Sequence, residues 1–271
     1  MSLLFIAMLV SLGVMTGFLA GLLGIGGGLL LVPFLAWVFT ASGFPEEHVL
    51  HMAVATSLAT ILFTSTSSIR AHHLRGSVRW DIIRWMATGA IIGTFLGAQI
   101  ASLISTRWLA IFFALFVGYS GFNMMRKAHR PQKRIGGPLP AGPILFGVGS
   151  GIGFIASLIG AGGGFLTVPF LGWRGVTIRE AVGSSAAVGL GIAVGGLIGY
   201  IFAGWHLTDL PPYTLGYIDL PALACCAVAS VPMAPLGVRT AHSLQPSTLK
   251  IIFASILILL ASSMAWKAWN S

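Results

Sequence analysis

The sequence predicts an all-α membrane protein made of two inverted repeats. Each repeat has five hydrophobic segments and one glycine-broken hairpin. Three observations carry this: an apolar composition, a long internal repeat, and two short segments interrupted by glycine and proline. Of 271 residues, 56% are hydrophobic and 8% are charged, with a mean hydropathy of +0.93. A soluble domain carries about 25% charged residues. This chain cannot cover a water-facing surface, so lipid must cover it. The alternating strands of a membrane β-barrel are absent from the pattern.

The repeat is read directly. "GFLAGLLGIGGGLLLVPFLAW", from Gly17 to Trp37, recurs as "GFIASLIGAGGGFLTVPFLGW", from Gly153 to Trp173, without a gap. "HMAVATSLA" from His51 aligns with "REAVGSSAA" from Arg179, and "LGAQIASL" from Leu96 aligns with "LGVRTAHS" from Leu236. Self-similarity of this length marks duplication. The expected units are residues 1–126, a cytoplasmic linker at 127–142, and residues 143–271.

In the first unit the apolar segments cover residues 3–23, 29–39, 52–69, 82–104 and 108–125. In the second they cover 143–159, 165–173, 181–203, 218–240 and 249–266. Each second segment is short, about 15 Å at 1.5 Å per residue, half of a hydrocarbon core of about 30 Å. The first two segments of each unit therefore read as a hairpin that turns inside the membrane. No charged region precedes the first segment, which is expected to be retained rather than cleaved.

The formal net charge of +9 follows topology rather than nucleic-acid binding, because no soluble domain presents the basic residues. Arg70, Arg75, Arg79 and Arg84 fall in one loop, and Arg126, Lys127, Arg130, Lys133 and Arg134 in another. Both are expected on the cytoplasmic side, together with Arg174, Arg179, Arg239 and Lys250. An odd number of segments per unit then inverts the second unit and leaves both termini external.

Glycine costs about 1 kcal/mol in a helix interior and proline about 3, so the glycine clusters should break the helix. Broken backbone at membrane depth is tolerated where it is buried in protein or lines a cavity. Gly26, Gly27 and Gly28, and likewise Gly162, Gly163 and Gly164, precede a short helix whose first N–H groups lack intrahelical partners. Such ends favour anions. The competing reading is close helix packing. A dinucleotide fingerprint fails, since Leu29 and Phe165 stand at its last glycine.

Thr56, Ser57, Ser184 and Ser185 are candidate donors to substrate oxygens, against the alternative of bonding back to their own helices. The run from Thr64 to Ser68 reads as helix packing. Arg239 is paired in the repeat with Gln99, an uncharged donor, and either lines a cytoplasmic mouth or snorkels. Asp81 and Asp219 are expected to pair with basic groups near opposite faces. His48 and His51 have helical spacing but lack further ligands, so no metal or cofactor is expected. His72 and His73 add to a basic loop. Cys225 and Cys226 read as small buried residues.

The paired GxGGG…VPF…W hairpins, each followed by "AVATSLA" or "AVGSSAA", resemble the TauE/SafE sulfite exporter family. The "LGAQIA" and "LGVRTA" stretches are similar to it too, and the resemblance spans nearly the whole chain. It implies transport of small sulfur-containing anions or organic acids, such as sulfite, sulfoacetate or thiosulfate. The expected partners are a small anionic substrate and the lipid bilayer, with no nucleic acid. The expected activity is export across the plasma membrane, with both glycine turns and the four hydroxyls forming the site. The alternatives are an anion channel on the same architecture and a proton-coupled carboxylate transporter. An enzyme would need a catalytic constellation that the six acids do not supply.

Overall fold

The computed structural model describes residues 3–23, 27–126, 139–244 and 246–270. In lipid each backbone N–H and C=O must be satisfied within its own segment, and apolar runs therefore become helices. The order is α1 (Leu3–Leu23), α2 (Gly28–Ala41), α3 (Glu46–His73), α4 (Trp80–Ala101), α5 (Thr106–Arg126), α6 (Gly142–Ile159), α7 (Gly164–Trp173) and α8 (Ile178–Gly204). A small antiparallel hairpin, β1 (Thr214–Leu215) and β2 (Ile218–Asp219), precedes α9 (Leu220–Ser243) and α10 (Pro246–Asn270). Among the described residues, α1, α3, α5, α6, α8 and α9 are long and apolar enough to cross a membrane. The linker expected at 127–142 lies outside the described residues from 127 to 138.

Helix ends follow local chemistry. Glu46 and Glu47 open α3, and Arg70, His72 and His73 close it, which complements the helix dipole at both ends. Thr177 and Glu180 form a reciprocal capping box on α8. Asp219 caps α9, its carboxylate accepting the Ala222 N–H at 2.7 Å. This corrects the expectation for Asp219: it serves a helix start instead of pairing with a base, and the segment expected at 218–240 begins as strand. Asp81 does pair as expected, accepting from Arg79 at 3.0 and 2.7 Å. α2 runs for 14 residues with Pro33 inside it, longer than the expected 29–39, while α7 keeps 10 with Pro169 inside it.

Glycine seams build the bundle. A Cβ on Gly13, Gly17 or Gly21 of α1 would strike backbone at Cys226, Ser230 or Ala234 of α9, in that order. Gly89 and Gly93 of α4 meet Phe146 and Ser150 of α6 in the same way, and Gly97 meets Phe154 and Ser157. Contacts that advance together along both helices mean parallel packing. Small residues let such backbones approach closely. The first helix of each half thus packs on the fourth helix of the other half. α3 and α8 pack together at the centre, and α5 packs on α10.

Candidate functional site

The two glycine turns meet at the centre of the bundle. Gly27 and Gly163 take left-handed conformations, φ 75° and 69°, immediately before α2 and α7. Residues with a Cβ adopt this region at a cost of about 1–2 kcal/mol. Neither glycine offers a capping side chain, so the N–H groups of Gly28 and Leu29, and of Gly164 and Phe165, begin helices without intrahelical partners. The described turn residues Gly27, Gly28, Gly162, Gly163 and Gly164 are all buried. Gly26 lies outside the described residues.

Ser57 ties the two turns together. Its hydroxyl donates to the Gly28 carbonyl at 3.0 Å and to the Gly160 carbonyl at 2.8 Å. A Cβ on Gly28 would collide with Gly160 O and the Ile61 side chain, and would lie 2.8 Å from Ser57 Oγ. The start of the second turn therefore rests directly on the first turn of α2.

The neighbouring hydroxyls hold the halves together as well. Thr56 Oγ1 accepts the Asp219 N–H at 3.0 Å, and Ser184 Oγ accepts the Arg79 N–H at 3.0 Å. Thr56 and Ser184 are repeat mates, and their partners are the N-cap residues of α9 and α4. An accepting hydroxyl keeps its own proton for donation. Ser185 Oγ donates to Val182 O at 2.8 Å. Gln99 Nε2 donates to Gly199 O on α8 at 2.8 Å, and Arg239 is exposed on α9. The structure brings Gly28 and Ser57 against Gly160, at the start of the second turn, while Gly27 rests on Thr16 of α1 and Gly163 on Ile192 and Ile152. It does not bring Gln99 and Arg239 to them.

A cavity of about 1080 Å³ lies elsewhere, at the end of the bundle where α2 finishes and α3 begins. Glu46, Glu47 and Arg107 are on its wall, Trp37, Leu103, Leu259 and Trp266 are apolar and exposed, and none of the turn glycines lines it. Two carboxylates against one guanidinium disfavour an anion there. Nearby, His48 Nε2 bonds Asp209 Oδ2 at 2.9 Å, with Glu47 Oε1 at 3.7 Å. These three groups lie within 4.8 Å of one another, so His48 has carboxylate neighbours that the sequence spacing did not reveal. His51 points away and bonds the carbonyls of Ala101 and Ile104 at 3.1 and 2.9 Å. Burial, and then the carboxylates of Asp209 and Glu47, push the Tyr217 phenol up, keeping it neutral beside them.

The family profile described as Sulfite exporter TauE/SafE matches residues 9–264. The chain belongs to the TauE/SafE sulfite exporter family. Similar proteins named as probable membrane transporter proteins match nearly all of its length. One from Haemophilus influenzae is 35% identical over 263 residues, covering 97% of this chain and 99% of the relative. One from Methanocaldococcus jannaschii is 30% identical over 257 residues, covering 94% and 93%. One from Xylella fastidiosa is 30% identical over 271 residues, covering 96% and 94%. No solved structure matches the chain. As a member of the TauE/SafE family this chain is a multi-pass transmembrane transporter.

Proposed function

We propose that this transporter exports a small sulfur-containing oxyanion or organosulfonate, such as sulfite or sulfoacetate, across the plasma membrane. The observation that carries the reading is the meeting of the two glycine turns, clamped by Ser57 across Gly28 and Gly160. Uncapped helix starts with buried glycines present backbone N–H groups and positive dipole ends to an anion. Transporters with inverted repeats hold substrate between discontinuous helices near the midplane. Parallel packing of α1 on α9 and of α4 on α6 supports the inversion. Each half's first helix runs alongside the other half's fourth, as expected of halves that cross in opposite directions. The units 1–126 and 143–271 then rock against each other, with both termini external and the basic loops cytoplasmic. Cysteine labelling of intact cells is expected to modify a cysteine introduced after Asn270 and to spare one introduced beside Arg75. The reverse pattern would overturn the orientation.

Energy sets the direction. Moving one elementary charge through the membrane potential is worth about 2.3 kcal/mol per 100 mV. A negative interior therefore drives anions outward without a coupling ion. Proteoliposomes loaded with sulfite are expected to release it faster when a potassium diffusion potential makes the loaded side negative. Release that ignores voltage and follows an imposed pH gradient would replace electrogenic export with proton coupling. No sulfite movement at all would overturn the substrate reading.

A further inference from the structure

Four of the described side chains with a buried polar atom and no hydrogen-bond partner fall along one route. They are Ser65, Ser68 and His72 on α3, and His242 at the end of α9; the His72 ring also faces the Gly21 backbone at the end of α1. Ser65, Ser68 and His72 are each at most 1% exposed. Their spacing of three and then four puts them on one face of the helix. Buried polar groups are normally bonded, because leaving one unmade at depth is destabilising. A row of three on one helix face calls for a reason.

The positions give one. A Cβ on Gly189 of α8 would lie 3.3 Å from Ser65 Oγ and 3.0 Å from Gly162 O. The row therefore starts where α8 and the second glycine turn meet. It ends at a cavity of about 20 Å³, lined by His72, Arg179, Val182 and His242, large enough for one oxygen atom. The His72 and His242 rings stand 5.8 Å apart, and Arg179 Nη2 donates to the His242 carbonyl at 3.2 Å. Arg75 and Arg179 both lie within Coulombic reach of His242. The other half shows that the fold does not need these groups. The register that pairs His51 with Arg179 pairs Ser65, Ser68 and His72 with Ala193, Gly196 and Tyr200. Ala193 and Gly196 carry no polar side chain, and the Tyr200 hydroxyl is satisfied by Ser157 O at 2.9 Å.

We propose that Ser65, Ser68 and His72 line the inner half of an oxyanion path, which runs along α3 from the second glycine turn to a mouth formed by His242 and Arg179. The proposal rests on the transport reading above and names the residues on one side of it. Arg179 and Arg75 concentrate anions at the mouth. The two serine hydroxyls then donate to oxyanion oxygens without a fixed charge at depth, with the His72 ring beside them. Uncharged donors hold an ion weakly enough for it to leave, as conduction requires. A lipid phosphate can approach the mouth but cannot reach Ser65, so the occupant is the free ion.

The test is the Ser65→Ala, Ser68→Ala double variant, with Arg179→Gln as a second variant at the exposed mouth. Each is assayed for melting temperature in detergent and for efflux of sulfite, sulfate, thiosulfate and phosphate from proteoliposomes. The double variant is expected to melt no lower than wild type while efflux falls about tenfold or more. Arg179→Gln is expected to raise the KM on the mouth side with kcat nearly unchanged. Wild-type rates in both variants would overturn the path and leave the export reading standing. Wild-type transport of another oxyanion but not sulfite, impaired in the variants, would overturn the sulfite assignment and support the path. No movement of any of the four ions by wild type would overturn both.

Discussion

Gly27→Leu is expected to yield no folded, transporting protein. At φ 75° a leucine pays the left-handed penalty of about 1–2 kcal/mol, and its Cβ would sit 2.5 Å from the Thr16 carbonyl oxygen of α1. A backbone carbonyl cannot swing aside as a side chain can, so α1 or α2 must move, and α1 is locked against α9 by its own glycines. Gly163 differs in a useful way. At φ 69° it carries the same backbone penalty, but a Cβ there meets side-chain atoms of Ile192 and Ile152. Those can rotate. Gly163→Ala is therefore expected to fold, with stability lowered by about 1–2 kcal/mol. Gly163→Leu is expected to remain in the membrane and lose transport. Size-exclusion profiles in detergent separate folding from activity, and sulfite efflux reports the rest. Normal efflux from Gly27→Leu and Gly163→Leu would remove the turns from the transport site.

The helices were legible because lipid leaves few choices. Long apolar runs with no interior charge have to be helices, and the doubled GxGGG pattern marks both turns. The glycine seams were written in the same sequence, at four-residue spacing in Gly13, Gly17 and Gly21 and again in Gly89, Gly93 and Gly97. That spacing signals a helix interface, but it does not name the partner helix, and the partner turned out to lie in the other half. The hydroxyls were legible as a group and not in their roles. Whether Thr56 faces a ligand or the N–H of Asp219 depends on where a residue far along the chain comes to rest. The run from Thr64 to Ser68 shows the limit most sharply. Thr64 bonds back toward its own helix at Thr60 and Ile61, and Ser67 bonds Val231 O across to α9, as packing predicts. Ser65 and Ser68 have no partner. Only the three-dimensional neighbours separate these neighbouring residues. The loop between α8 and α9 carried no apolar periodicity, so its small hairpin and the Asp219 cap were missed.

Ser57→Ala is expected to uncouple the two turns, and it tests the centre of the molecule with the smallest change in shape. The serine proton is shared between Gly28 O, within α2, and Gly160 O, at the end of α6. Removing it leaves the Gly160 carbonyl without that donor at a buried site, where an unmade hydrogen bond costs about 1–3 kcal/mol. The proper control is Thr60→Ala, one helical turn further along α3. Thr60 is equally buried, but its hydroxyl returns to Thr56 O on its own helix at 2.8 Å. Among the described residues, its loss removes no hydrogen bond between the halves. A midplane site formed by two turns depends on their relative placement, and a misplacement of about 1 Å is enough to cost roughly a hundredfold in a positioned reaction. Efflux in Ser57→Ala is therefore expected to fall by at least tenfold, with a lower melting temperature, while Thr60→Ala keeps efflux within about twofold of wild type. If both variants lost stability equally and both kept transport, the Ser57 bridge would be one more buried hydrogen bond. The anion would then have to be held by groups other than the joined turns.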